Sequence, residues 1–161
     1  MNEVVYDSNF LVGFIDEDDT WHKIAVEINN EVKKKNLKTI LLDCVASEVI
    51  SVLAKRYEEK NKLDVFKDKV LKKFNETIRT IDLTYVYKDI ERYYSEVIGK
   101  IGEYSGRLNF NDCLIVIFSQ ENNISRIISF DSDFDEVKGL VRIKSKNDLG
   151  TVIRKGKEIL F

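Results

Sequence analysis

Short apolar runs that alternate with longer amphipathic stretches restrict the fold of this 161-residue chain more than any other feature. The runs have the β-branched and aromatic composition of buried strands, and they cover residues 4–6, 39–42, 78–83, 126–130 and 140–143. The stretches between them have helical spacing, and they cover residues 9–16, 21–35, 44–57, 63–74, 87–104 and 113–118. Strands that alternate with helices predict a parallel α/β sheet with right-handed crossovers.

Polar residues at the starts of these stretches are expected to cap helices. Thr20 is expected to cap the 21–35 helix, and Asn109 with Asp112 three residues later predicts a capping box. Asp43 is interpreted as a helix cap. No proline, linker or repeat divides the chain, so we expect one domain with a core over residues 1–149. The tail, 150–161, is interpreted either as a hairpin turning at Lys155 and Gly156 or as an arm.

Composition and charge exclude several classes of protein. Hydrophobic residues make up 43% and charged residues 34%, which is typical of a globular protein, and a net charge of -2 gives no global sign of nucleic-acid binding. Cys44 and Cys113 lack the spacing of a zinc site or a disulfide framework. The N-terminus does not read as a signal peptide, and no apolar run approaches the roughly 18 residues that span a bilayer. We expect a cytoplasmic protein without a membrane partner.

Four acids follow strands or begin helices where one edge of a parallel sheet would gather them. Asp7 follows the first strand, Asp131 follows the strand over 126–130, Asp112 begins an apolar helix, and Glu48 lies early in the helix after strand two. In an open parallel sheet, ligands bind beyond the carboxyl ends of the strands, where strand order reverses. Converging carboxylates repel one another unless a divalent cation neutralises them.

Carboxylates alone favour a hard ion, Mg²⁺ or Mn²⁺, which keeps positions open for water and a substrate phosphate. Such an ion lowers the pKa of a bound water and stabilises the leaving oxygen of a phosphodiester. The chain has no Ser/His or Cys/His arrangement, and His22 is its single histidine. The pattern therefore indicates metal-dependent nuclease chemistry.

Four segments occur in the order of the acidic motifs of the PIN domain, and the chain resembles that family over nearly its whole length. They are YDSNFL at 6–11, ASEVISVL at 46–53, LNFNDCLIV at 108–116 and ISFDSDFDEV at 128–137, followed by the strand LVRIK at 140–144. The resemblance implies a three-layer α/β/α fold with a mostly parallel sheet of four to five strands. It differs in having Asp43 where Ser or Thr is common, and a long region over 57–104.

The resemblance also implies a Mg²⁺- or Mn²⁺-dependent endoribonuclease of the VapC toxin type or a stand-alone relative. Asp7, Glu48, Asp112 and Asp131 would be both its catalytic residues and its metal ligands, and Asp133 matches a further acid often found there. The supporting polar residues would be Ser8, Asn9 and Ser129. A homodimer is implied as well, and an antitoxin protein is a partner of toxins of this type.

The segment over residues 55–73 carries eight basic and four acidic residues. By default this pattern describes a solvated helix surface. The functional interpretation is a clamp on RNA phosphates, which acids alone would repel, with Lys55, Arg56 and Lys60 as the candidate contacts.

Two other functions compete with the ribonuclease. A catalytically weak PIN-fold module would bind RNA or act as a scaffold in a larger complex, and absence of metal binding would favour it. An aspartyl-phosphate phosphotransferase would use Asp7 as nucleophile, but that chemistry usually wants a second acid where this chain has Asn9.

Overall fold

The computed structural model describes residues 2–150, together with the backbone of residues 152–154 and 157–159. Its main sheet has five strands: β1 (Glu3–Tyr6), β2 (Lys38–Leu42), β3 (Asp82–Thr84), β4 (Arg126–Ile128) and β5 (Val141–Ile143). All neighbouring strands pair in parallel, in the order β3-β2-β1-β4-β5. The predicted parallel α/β sheet is confirmed.

Strand order reverses at β1, the central strand. Val5 pairs with Ile40 of β2 on one side and with Ile127 of β4 on the other. The chain builds the sheet outward from β1 to β3, then returns to the other side of β1 to place β4 and β5. The carboxyl ends of β1 and β4 therefore flank the reversal point, where ligands of open α/β sheets bind.

Helices flank this sheet. They are α1 (Ser8–Ile15), α2 (His22–Lys34), α3 (Asp43–Glu59), α4 (Leu63–Val65), α5 (Leu71–Ile78), α6 (Ile90–Glu103) and α7 (Phe110–Glu121). A π-helical turn, Phe66–Val70, joins α4 to α5, and 3-10 turns lie at Tyr87–Asp89, Ser132–Glu136 and Lys146–Gly150. Helix α1 packs against α2 and α3, while α6 packs against α7.

Strand β1 and helix α7 run through the core. Val4 and Val5 are completely buried, and every residue of α7 from Asp112 to Ile117 is buried. A strand covered on both faces has a continuous apolar sequence, and a helix that is apolar on nearly all sides is an interior helix. The core therefore holds the end of β1 and the start of α7 rigidly, and each carries one of the predicted acids.

Two local predictions are wrong. The third strand covers Asp82–Thr84 rather than 78–83, because Phe74 and Ile78 pack on the core as one face of α5, which continues to Ile78. Thr20 does not cap α2. That helix begins at His22, and the carboxylate of Asp19 instead accepts the Trp21 N–H at 2.8 Å.

In the tail, β6 (Val152–Arg154) pairs antiparallel with β7 (Lys157–Ile159), which supports the hairpin among the two predicted alternatives. The expected turn residues, 155 and 156, lie outside the described residues. The division into one domain stays a prediction. Among the helices that the structure describes, none is long and apolar enough to span a membrane.

Candidate active site

Asp7 lies at the carboxyl end of β1 and is nearly completely buried. One carboxylate oxygen accepts the Ser8 N–H at 2.6 Å, so Asp7 caps α1. The other accepts the Ser129 hydroxyl at 2.6 Å. Asp7 thus combines helix capping with a place in the predicted site, because only one of its oxygens is used by the helix.

Ser129 and Asn9 connect β4 to this aspartate. The Ser129 hydroxyl, which donates to Asp7, accepts the backbone N–H of Asp131 at 2.9 Å. The Asn9 amide lies 3.3 Å from the same hydroxyl, and its carbonyl oxygen accepts the Phe130 N–H at 2.9 Å. Two of the predicted supporting residues therefore hold the ends of β1 and β4 together around the Asp7 carboxylate.

Glu48, in the second turn of α3, is held from two sides. One of its oxygens accepts the Ser8 hydroxyl at 3.1 Å, and the other accepts the Asn111 side-chain amide at 2.9 Å. Ser8, predicted as a supporting residue beside Asp7, thus also contacts Glu48. Asn111 was not among the site residues predicted from the sequence, although it directly precedes Asp112 at the start of α7.

Asp112 begins α7 within the predicted capping box, which is confirmed. Its carboxylate accepts the Asn109 N–H at 2.8 Å, and its own N–H donates to the Asn109 side chain at 3.0 Å. The side chain is buried with the rest of this helix face. Like Asp7, Asp112 uses one carboxylate oxygen to accept a backbone hydrogen bond at the start of a helix.

Asp131 caps the 3-10 turn after β4 by accepting the Asp133 N–H at 2.9 Å. Asp131 and Asp133 are both half-buried. The next acid, Asp135, is committed elsewhere, because it receives two hydrogen bonds from the Arg142 guanidinium at 2.9 and 2.6 Å. Asp135 is therefore engaged in an ion pair with Arg142, unlike Asp131 and Asp133.

The acids are coupled electrostatically. The pKa of Asp7 is raised to about 7, chiefly by burial and also by the charges of Asp112 and Glu48, while the hydrogen bonds from Ser129 and Ser8 act in the opposite direction. Burial likewise raises the pKa of Asp112 to about 6, with contributions from the charges of Glu48, Asp131 and Asp133. Desolvation and like charge both disfavour the ionised form. The predicted acids therefore share one neighbourhood.

Among the described residues, the acids of this neighbourhood are held without an ion pair, although the pKa of Arg142 is raised chiefly by its hydrogen bond to Asp135 and also by the charge of Asp131. In the described part of the chain, no lysine or arginine forms an ion pair with any of the five acids, Asp7, Glu48, Asp112, Asp131 and Asp133. The partners found for them are hydroxyl, amide and backbone N–H groups. The hydrogen bonds that the described residues make to these carboxylates thus come from neutral dipolar groups.

The donors are all oxygens, which suits a hard divalent cation. Within residues 2–150, however, no group of three or more His, Cys, Asp or Glu side chains is arranged so that it would hold a metal ion. Protein donors occupy several of the carboxylate oxygens that an ion would take, including both oxygens of Glu48. The oxygen donors suit a metal ion, whereas the side chains are not arranged as ligands around one position.

The predicted RNA contacts lie apart from the acids, toward the C-terminal half of α3. Arg56 forms ion pairs with Asp19 at 2.5 Å and with the buried Asp16 at 3.4 Å. Lys60 lies 3.5 Å from Asp18, while Lys55 is exposed. Arg56 therefore has a structural role that the sequence analysis missed, and Lys55 is the more available of these cations.

The prediction that Asp43 caps a helix is wrong, because Leu42 occupies the N-cap position of α3, although Asp43 does take a structural role. Its carboxylate accepts the Cys44 N–H at 2.9 Å and also the backbone N–H groups of Val86 and Tyr87, at 2.9 and 3.2 Å. It thereby ties the segment after β3 to the start of α3. This leaves Asp43 out of the acidic cluster described above.

Comparison with solved structures shows the same fold in two other proteins. The chain is similar to Mycobacterium tuberculosis VapC20, described as a Sarcin-Ricin loop cleaving toxin, with 17% identity and a TM-score of 0.58 over 84% of this chain and 95% of that one. It is also similar to Rickettsia felis VapBC2 bound to a promoter DNA fragment, with 16% identity and a TM-score of 0.54 over 88% and 97%.

A comparison with curated proteins found no match. The sequence does match the family model of the PIN domain over residues 4–140, a range that contains all five acids and both strands at the reversal point. With the fold and the order of the motifs in agreement, the resemblance is confirmed: the chain belongs to the PIN domain family.

Proposed function

We propose that this protein is a divalent-metal-dependent endoribonuclease that hydrolyses RNA phosphodiester bonds. Asp7, Glu48, Asp112 and Asp131 are its catalytic acids. The observation that carries the proposal is that these acids gather at the reversal point of the sheet, partly buried and, among the described residues, without an ion-pair partner. Burying like charges is costly, so an arrangement of this kind fits a site whose positive charge comes from outside the chain.

Mg²⁺ or Mn²⁺ would be held by Asp7, Asp112 and Asp131, with Glu48 and Asp133 as further ligands. When bound, the ion would supply a water of lowered pKa and neutralise the developing charge on phosphate. Mg²⁺ commonly keeps several waters and takes only one or two protein carboxylates, so it does not need a preassembled cage. Ser8, Asn9, Ser129 and Asn111 orient the carboxylates, as residues behind metal ligands do.

The VapC neighbours support a further proposal, that the protein is the toxin of a toxin-antitoxin pair. RNA would be its substrate, with Lys55 and Lys60 reaching flanking phosphates. An antitoxin would be its partner, and we propose a homodimer acting in the cytoplasm. Growth arrest on expression, relieved by Asp112→Ala, is the result expected of a toxin, whereas equal arrest by this variant would contradict it.

The nuclease proposal is tested by incubating the purified chain with a structured RNA that has unpaired loops, in Mn²⁺ or Mg²⁺. We expect cleavage by the wild type that EDTA and Asp7→Asn both abolish. Asp135→Asn is the matched control, because it removes a nearby acid that is paired with Arg142, and it should cleave normally. Equal cleavage by wild type and Asp7→Asn would contradict the proposal, since a contaminating nuclease would then be the source.

A second candidate is the catalytically weak module that binds RNA or serves as a scaffold. The unassembled ligand geometry favours it, because a scaffold has no need of bound metal. Calorimetric titration of the purified chain with Mn²⁺ separates the two. Retained RNA binding without Mn²⁺ uptake would support the module, while Mn²⁺ uptake that Asp7→Asn weakens would support the nuclease.

A further inference from the structure

Exposed aromatic side chains concentrate in one segment next to the acids. The part of the chain that the structure describes exposes six large apolar side chains, and four of them lie within residues 85–98: Tyr85, Tyr87, Tyr94 and Ile98. Tyr94 and Ile98 are four residues apart on α6, so they share one face of that helix. Tyr87 lies one heptad before Tyr94, in the 3-10 turn that leads into α6.

The segment is attached to the site at Asp43. Tyr85 follows β3 directly, at the same edge of the sheet as the carboxyl end of β1. Asp43 accepts the Tyr87 N–H at 3.2 Å and begins α3, the helix that carries Glu48. Burial, followed by the charges of Cys44, Asp43 and Glu48, raises the pKa of Tyr87.

A second connection runs through α7. The Tyr94 ring contacts the Phe110 ring, with centroids 6.1 Å apart. Phe110 is the first residue of α7, followed directly by Asn111, which donates to Glu48, and by Asp112. Tyr94 thus packs on Phe110, the first residue of the helix that carries Asp112, yet Tyr94 remains 57% exposed to solvent.

We propose that Tyr94 forms an aromatic platform on which an unpaired base next to the scissile phosphate stacks. This inference rests on the proposed ribonuclease function and names its substrate class, unpaired RNA. Sequence-tolerant stacking on aromatic rings is how proteins bind unpaired bases, whereas the bases of a duplex present no free faces. The acids would repel the phosphate backbone, so stacking supplies affinity beside them that charge does not.

The test uses the full chain and a short single-stranded oligoribonucleotide with one 2-aminopurine, whose fluorescence falls on stacking. Binding is measured in EDTA and cleavage in Mn²⁺, with the same sequence as a duplex for comparison. Tyr94→Phe keeps the ring, whereas Tyr94→Leu keeps an apolar side chain without a π face. Leu63→Ala is the control, because Leu63 on α4 is 54% exposed, close to the 57% of Tyr94.

We expect quenching with wild type, Tyr94→Phe and Leu63→Ala, and loss of quenching with Tyr94→Leu and Tyr94→Ala. In cleavage, Tyr94→Ala should raise KM about 10-fold or more for the single strand and leave kcat nearly unchanged. Circular dichroism checks that the variants are folded. If quenching depends on the Tyr94 ring but neither the wild type nor any variant cleaves RNA, the platform is supported and only the nuclease proposal is contradicted.

Normal quenching and KM in Tyr94→Ala would overturn the platform, even if Asp7→Asn shows that the chain is a nuclease. The platform would also be overturned if Tyr94→Leu behaved like wild type, since a general apolar contact would then suffice. A third contrary result is a change of oligomeric state in Tyr94→Ala, measured by light scattering, with quenching intact. That result would assign the surface to a second copy of the chain.

Discussion

Two sets of acids lie around the opposite ends of α1, and they differ in whether an arginine pairs with the buried carboxylate. Asp16, at the C-terminal end, is 1% exposed, accepts the Tyr57 hydroxyl at 3.1 Å and pairs with Arg56, which also holds Asp19. Asp7, at the N-terminal end, is equally enclosed, and its donors among the described residues are the Ser8 backbone N–H and the Ser129 hydroxyl. One end contains its own counter-charge, and the other gathers additional acids.

This difference separates two uses of a buried carboxylate. Around Asp16 the charges are balanced within the chain, and the result is a link between the α1–α2 connection and α3. Around Asp7 the charges are unbalanced, so folding leaves a cost that an external cation would remove. Acid content alone would not distinguish the two clusters, whereas the position of Arg56 does.

The largest expected effect is on the stability of the metal-free chain. The folded pKa of Asp7, about 7, lies above an unfolded value of about 4. The folded state keeps a proton that the unfolded state releases, so the free energy of unfolding falls as pH rises between these values. Asp7→Asn should remove this loss and raise stability at pH 8 by up to about 4 kcal/mol, but not at pH 4.

Urea denaturation at the two pH values, in EDTA, measures this difference. Asp16→Asn is the matched variant at the other end of α1, and it should lower stability at pH 8 because it weakens the contact with Arg56. Destabilisation by both variants would show that the two clusters do not differ as described.

Added Mn²⁺ should stabilise the acid-rich end next most strongly. At 100 times its dissociation constant, an ion that binds only the folded state contributes about 2.7 kcal/mol. Thermal melts with and without Mn²⁺ should show a raised Tm for wild type and Asp135→Asn, and little change for Asp7→Asn. An equal rise in Tm for all three proteins would place the ion elsewhere.

Replacing the cation at the other end should destabilise the fold. Arg56→Met leaves Asp16 buried without its partner, and we expect a loss of about 2 kcal/mol, less than for a fully buried pair because Arg56 is partly exposed. Urea denaturation measures it. The double variant Arg56→Met with Asp16→Asn should recover part of the loss, and a double variant less stable than either single one would contradict this account.

The smallest effect is expected at Asn111. Asn111→Ala removes the amide that holds Glu48, and we expect cleavage to fall about 10-fold with little change in stability. Asn122→Ala, at the opposite end of α7, removes a side-chain bond to the Phe118 carbonyl and should cleave normally. Cleavage assays and melts of both variants give the comparison.

The positions of Asp7 and Asp112 followed from local sequence. Each acid interrupts apolar sequence at the end of a strand or the start of a helix, and such signals depend on neighbouring residues only. The parallel sheet followed in the same way from the alternation of strands and helices. These features could be predicted because the physics that sets them acts over a few residues.

The partners of Arg56 and Glu48 could not be predicted in this way. Arg56 and Asp19 are 37 residues apart, and Asn111 and Glu48 are 63 residues apart, so only tertiary packing brings each pair together. On a helix surface, an arginine that pairs with a buried acid has the same pattern as one that contacts phosphate. The sequence therefore left a solvated surface and an RNA clamp as the alternatives for Arg56, and it did not indicate the ion pairs with Asp16 and Asp19.

The strand order has a consequence for synthesis of the chain. Ser129 and Asp7 are separated by 122 residues, and their contact forms only when β4 pairs with β1. A nascent chain that has emerged as far as α6 contains Asp7 and Glu48 but neither Asp112 nor Asp131. The cluster is thus completed only after α7 and the turn after β4 have been synthesised, so a product truncated before α7 would carry the first strands of the fold without its acidic centre.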